Sequence, residues 1–145
     1  MMNRTLAILA LAMLVCTASW TPVLAQVSIS ISIDAIEEND FIAGTVKGLQ
    51  PSEYANYKVI VYVHTDVWYI HPYAGQGDGS SWASIGANGQ WTIDTVRRRF
   101  SADKMAALVV ARDYPEPNKR STVGGIPAIA RTIKRLRGTE DYGKL

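Results

Sequence analysis

The chain is nearly without cysteine, histidine and phenylalanine, with one, two and two respectively in 145 residues. Its only cysteine, Cys16, lies in the N-terminal leader. The rest of the chain therefore has no disulfide framework and no thiolate metal site, so it has to stand on a hydrophobic core. Long hydrophobic runs are also missing. The apolar stretch Leu6–Val15 falls short of the roughly 20 residues that a spanning helix needs. With Arg4 before it and Val23-Leu24-Ala25 after it, the stretch reads as a secretory signal peptide cut before Gln26. Lipidation of Cys16 is the second reading, disfavoured by Val15 where a small residue is wanted. The expected product is secreted, periplasmic or extracellular, with no transmembrane segment.

Catalytic signatures are equally scarce. No serine has a nucleophile-elbow context, and the glycine-rich stretch Gly75–Ser81 is followed by neither lysine nor helix, which excludes a phosphate-cradling loop. Glu37, Glu38, Asp40, Asp66, Asp78 and Asp94 stand in no recognisable acid–base pair. His64 and His71, with Asp66 between them, form a minimal ligand set for zinc, copper or iron. Their convergence would depend wholly on the turn between them, and a small metal-dependent enzyme is the least favoured reading. No catalytic residue, metal or cofactor is assigned.

Charge is near balance, with 15 Lys+Arg against 13 Asp+Glu, but it is unevenly placed. Gln26–Val96 carries eight acidic residues and two lysines, and Arg97–Leu145 carries twelve basic and five acidic residues. Basic blocks stand at Arg97–Arg99 and at Arg131, Lys134, Arg135 and Arg137. An exported basic segment fits acidic glycans, lipid or another protein better than nucleic acid.

What the chain has is β-strand pattern and aromatic rings. Val27–Asp34 alternates with period two, and Phe41–Gly48 follows an Asn39-Asp40 turn, which predicts an antiparallel hairpin. Tyr57–His64 is apolar on both faces and reads as a central strand. Val67–His71 is a further strand, which Pro72 ends. Gly75–Ser81 reads as a flexible loop, Trp82–Ile85 and Gln90–Val96 as strands around an Asn88-Gly89 turn, and Met105–Ala111 as a buried strand. About seven short strands with regular turns predict an all-β, antiparallel immunoglobulin-like sandwich, with a small barrel as the alternative. The predicted division is signal peptide 1–25, sandwich 26–115 and basic tail 116–145. In the tail, Ile126, Ile129, Ala130, Ile133 and Leu136 recur at helical spacing, which favours a short basic amphipathic helix over a final strand.

Tyr54–Trp91 holds eight of the twelve aromatic residues beyond the leader. Neighbours in a strand face opposite sides, so one of Trp68 and Tyr69 is expected to project outward. Trp91 is expected in the core with Val59, Val61 and Val63. Trp68, Tyr69, Tyr73 and Trp82 are the candidate stacking platform, with His71, Asp66 and Asp78 as hydrogen-bonding partners for polysaccharide. A second expectation is a surface assembly protein or homo-oligomer that pairs through the edge of Val27–Ile33 and uses the basic tail.

The pattern Val-Tyr-Val-His-Thr-Asp-x-Trp-Tyr-Ile-His-Pro at 61–72, with Ile85-x-x-x-Gly89-x-Trp91 and Ala106-Ala-Leu-Val109, resembles a small β-sandwich accessory module of exported bacterial proteins. Such modules sit beside secreted glycoside hydrolases. Over residues 42–115 the resemblance implies an extracellular, carbohydrate-binding sandwich without catalytic residues of its own. Within the 145 residues the chain departs from that pattern in adding the basic tail, and the module is expected to stand without an enzyme domain beside it.

Overall fold

The computed structural model describes residues 27–37, 39–96 and 102–136. The leader with Cys16 and its cleavage site, Glu38, the Arg97–Arg99 block and residues 137–145 lie outside the described residues. Eight strands are formed: β1 (Ser30–Glu37), β2 (Phe41–Lys47), β3 (Tyr57–His64), β4 (Trp68–His71), β5 (Gln90–Asp94), β6 (Lys104–Ala111), β7 (Lys119–Arg120) and β8 (Ala128–Arg135). One short 3-10 helix, Pro51–Asn56, precedes β3. No described helix is long and apolar enough to cross a membrane.

The strands make two antiparallel sheets, β1-β2-β5 and β7-β4-β3-β6-β8, stacked as an all-β sandwich. The hairpin of β1 and β2 forms where the alternating pattern places it, closed by Asn39 in the left-handed region. From the smaller sheet Ile31, Ile42, Val46, Trp91 and Ile93 point inward. They meet Val59, Val61 and Val63 of β3 and Met105, Ala107 and Val109 of β6. Trp91 lies across Gly44, its partner in the β2–β5 register. A Cβ built on Gly44 would collide with the Ser32 carbonyl and stand 2.6 Å from the indole, so only glycine leaves room for the ring.

The other face of the larger sheet is also buried. Ile60, Tyr62, Trp68, Ile70, Ala106, Leu108 and Val110 pack there against Val123 and Ile126. Both latter residues belong to the irregular connection 112–127, which runs across this face between β6 and β8. β3 and β6 are thus apolar on both sides because both sides are covered, one by strands and one by a strap.

Four sequence expectations are corrected. The basic tail is not helical over Ala128–Arg135: it is β8, paired with β6 along its length. A bulge explains the misleading spacing. Val109 pairs with Ala130 and Val110 with Ala128, so Ile129 is an extra residue that breaks the two-residue period and imitates a helical one. With β7 and β8 in the five-stranded sheet, the sandwich extends to Arg135 rather than stopping at 115. Trp82–Ile85 likewise forms no strand, only single bridges at Val59–Ala83 and Asp78–Trp82. The glycine-rich stretch, expected as a flexible loop, is tied down. Asp94 N–H donates to Gly79 O at 2.6 Å, Ser81 N–H to Gly77 O at 2.8 Å, and the Gln76 N–H to Ser81 Oγ at 2.6 Å. Gly75, Gly77 and Gly79 all take positive φ, the conformation that glycine reaches without strain.

Candidate functional site

β4 decides where the site lies. Its register with β3 sets His64 opposite Trp68 and Val61 opposite His71. Alternation then sends Trp68 and Ile70 to the strap side, and Tyr69 and His71 to the side of the smaller sheet. Four of the seven candidate binding residues come together around β4. Asp66, Tyr69, His71 and Tyr73 line one cavity of about 600 Å³, with Val63, Thr65, Ile70, Pro72, Ala74, Gln76 and Asn118. The turn after β3 supplies Thr65 and Asp66, β4 supplies Tyr69 and His71, the segment after the cis His71–Pro72 bond supplies Tyr73, and the strap supplies Asn118.

The polar groups of this cavity are held in place. Thr65 Oγ1 donates to Asp66 Oδ1 at 2.8 Å. That bond, the backbone N–H groups of Val67 and Asp66 and the Tyr69 hydroxyl hold the Asp66 carboxyl below the usual carboxylate range. Asp66 is exposed and ionised at neutral pH. His71 is buried at 1% exposure, and its Nε2 shares a hydrogen bond of 2.7 Å with Thr95 Oγ1, just beyond β5. This bond ties the two sheets together at the floor of the cavity. Ile70 N–H donates to Asn118 O at 3.0 Å, which fixes the strap's contribution. Tyr69 and Tyr73 are half-buried, and Lys119 Nζ lies 5.6 Å from the centroid of the Tyr69 ring.

The remaining three candidates lie elsewhere. Trp68, expected on an exposed platform, is buried at 7% exposure beneath the strap, its ring 5.0 Å from that of His64. It is a core residue, because the strap covers the face that the strand pattern left open. Trp82 is half-buried, with the Arg112 guanidinium 4.2 Å and Lys58 Nζ 5.6 Å from its ring centroid. Asp78 is exposed but committed to its own loop, accepting from Ser84 N–H at 2.8 Å and from Ser84 Oγ at 2.6 Å. The four rings therefore form no common plane, and a flat stacking platform is replaced by a cavity with two tyrosines. His71 is part of the cavity's buried floor rather than an exposed hydrogen-bonding group.

The histidine pair does not converge. His64 lies on the strap side of the sheet, its Nδ1 2.6 Å from Asp103 Oδ1, whereas His71 lies on the opposite side. Burial pushes the Asp103 carboxyl up, but the hydrogen bond and charge of His64, with Lys104, outweigh that and hold it below its ordinary value. No group of three His, Cys, Asp or Glu side chains capable of holding a metal occurs among the described residues. The edge proposed for pairing, β1, is an outer strand of its sheet, and β8 approaches its flank closely enough for Lys134 to act on Asp34.

No sequence pattern marks Thr65, Gln76 or Asn118 as lining the cavity. Gln76 sits in a loop read only for its glycines, and Asn118 in a segment assigned to the tail. Their proximity follows from strap placement, for which the strand periodicity carries no signal. Comparison with family models, with curated proteins and with solved structures finds no match to this chain.

Proposed function

We propose that this chain is an exported, non-catalytic binding module of immunoglobulin-like type that recognises polysaccharide at the β4 cavity. The observation that carries the reading is the meeting of Tyr69 and Tyr73 with Thr65, Asp66, Gln76 and Asn118 around one space of about 600 Å³. Sites for small organic ligands span roughly 300–1,000 Å³ and combine apolar walls with a few placed polar groups. A sugar ring offers the matching surfaces, an apolar C–H face for a tyrosine and hydroxyls for an amide or carboxylate. Strand order supports the fold assignment: β1-β2-β5 facing β8-β6-β3-β4 follows the succession of an immunoglobulin-like sandwich with an added strand beside the third. The likeness of residues 61–72 to accessory modules of secreted glycoside hydrolases supports the ligand class.

The test is retention of the full chain on a panel of insoluble polysaccharides, including cellulose, chitin and xylan. Tyr73→Ala and Asp66→Asn are expected to weaken retention by about tenfold each, equivalent to roughly 1.4 kcal/mol, without changing near-ultraviolet circular dichroism. Absence of retention across the panel, or retention indifferent to both variants, would overturn the reading.

A further inference from the structure

Arg112 is held at three points and makes no ion pair among the described residues. Its backbone N–H donates to Asn56 O at 2.8 Å. Its guanidinium lies over Trp82 with Cζ 4.2 Å from the ring centroid, and its Nη1 donates to Ser84 Oγ at 3.3 Å. Ser84 is fixed in turn, since its own hydroxyl proton goes to Asp78 Oδ2 and leaves a lone pair for the arginine. Among the described residues no carboxylate pairs with Arg112. Lys58, the other cation over Trp82, is already engaged by Glu116. Arg112 also borders a hollow of about 380 Å³ walled by Pro51, Tyr54, Ala55, Ile85 and Ala87.

We infer that this hollow is a second binding site, on a different part of the sandwich from the β4 cavity, and that it takes the carboxylate of an acidic sugar. A stacked guanidinium keeps its N–H edge directed outward, and a planar fork matches a carboxylate through two parallel hydrogen bonds. Stacking on Trp82 and the bond to Ser84 fix the side chain before the ligand arrives, so less rotamer freedom is lost on binding. Pro51, Tyr54 and Ile85 offer contact to a ring carrying the acid that a bare anion does not use. Trp82 and Asp78 act here by positioning Arg112 rather than by touching sugar. The sugar as carrier rests on the glycan reading above, whereas the anion site rests on Arg112 alone.

Titration of the full chain with trigalacturonate, followed by tryptophan emission, tests this, because Trp82 lies directly under the reporting cation. Saturable binding is expected, with about tenfold loss in Arg112→Gln, no recovery in Arg112→Lys, which keeps charge without fork or stack, and a smaller loss in Ser84→Ala. Tyr73→Ala should leave this binding intact. Equal binding by the neutral galactose trimer, an unchanged affinity in Arg112→Gln, or full displacement by equimolar inorganic phosphate would overturn the assignment. Binding lost in Tyr73→Ala but kept in Arg112→Gln would overturn it while leaving the β4 cavity reading in place.

Discussion

The two faces of the five-stranded sheet bury similar side chains under different covers. On the inner face, Val59, Val61, Val63, Met105, Ala107 and Val109 meet a second sheet whose own backbone bonds are made within its ladders. On the outer face, Ile60, Tyr62, Trp68, Ile70, Leu108 and Val110 meet the strap 112–127, which has only β7 as regular structure. Its irregular backbone needs partners of another kind. Lys58 pairs with Glu116, the Tyr62 hydroxyl donates to Pro117 O at 2.8 Å, and the Arg131 guanidinium donates to the carbonyls of Val123, Gly124 and Ile126. The inner face is held by apolar area, which is non-directional. The outer face adds a few directional ties, each placed on a specific side chain. Both candidate sites border the strap: Asn118 lines the β4 cavity, and Arg112, its first residue, lines the second hollow.

The largest expected effect is on the inner face. Trp91 is 2% exposed and packs directly against Gly44. Trp91→Ala should lower the unfolding free energy by about 3–5 kcal/mol, seen as a fall in the urea midpoint for the whole domain. The indole Nε1 has no hydrogen-bond partner among the described residues, so the loss comes from packing rather than from a broken polar bond. If Trp91→Ala left the midpoint unchanged, the inner face would not be the main source of stability.

The next effect separates the covers. Lys58 is 4% exposed, and removing Glu116 leaves its ammonium buried without a partner. Glu116→Leu should cost about 2–3 kcal/mol, less than a fully buried pair because Glu116 remains partly accessible. The double variant Lys58→Met/Glu116→Leu should recover most of that loss, since two apolar groups can replace a buried pair. Hydrogen exchange should localise the single variant's effect to strap amides such as Ile126, with Val61 and Val109 little changed. Uniform acceleration over both faces would show that strap and inner core open as one unit.

Sequence pattern and structure agree where a strand's surroundings repeat every two residues. Tyr57–His64 reads as central and is central; Trp91 reads as core and is core; the hairpin of β1 and β2 forms as the alternation predicts. Legibility fails where an irregular segment sets the environment. Nothing in Trp68-Tyr69 tells which face a later connection will cover, so the ring expected outside is inside. A single bulge at Ile129 gives β8 the spacing of a helix. The candidate site was legible for Asp66, Tyr69, His71 and Tyr73, which share one turn and strand. It was not legible for Asn118, which the strap brings from far along the chain.

The smallest expected effect isolates one strap tie from its apolar background. Tyr62 is fully buried, and Tyr62→Phe keeps the ring among Ile60, Trp68 and Leu108 while removing only the donor to Pro117 O. At neutral pH this should cost about 1 kcal/mol, the usual net worth of one such bond. Alkaline pH provides a second readout. Burial, with the nearby Tyr114 and Glu116, pushes the Tyr62 phenol well above its ordinary value, and Arg120 only partly opposes this. The folded state therefore keeps the proton after the unfolded chain has begun to release it near pH 10. Stability from this group is complete below that pH and declines as pH rises from there toward the folded value. Tyr62→Phe has no proton to lose, so its unfolding free energy should fall less steeply above pH 10 than that of the unsubstituted chain. The two curves should converge as the unsubstituted chain loses its advantage. Parallel curves above pH 10 would mean that the strap admits water to the phenol, and that the outer cover is looser than its hydrogen bonds imply.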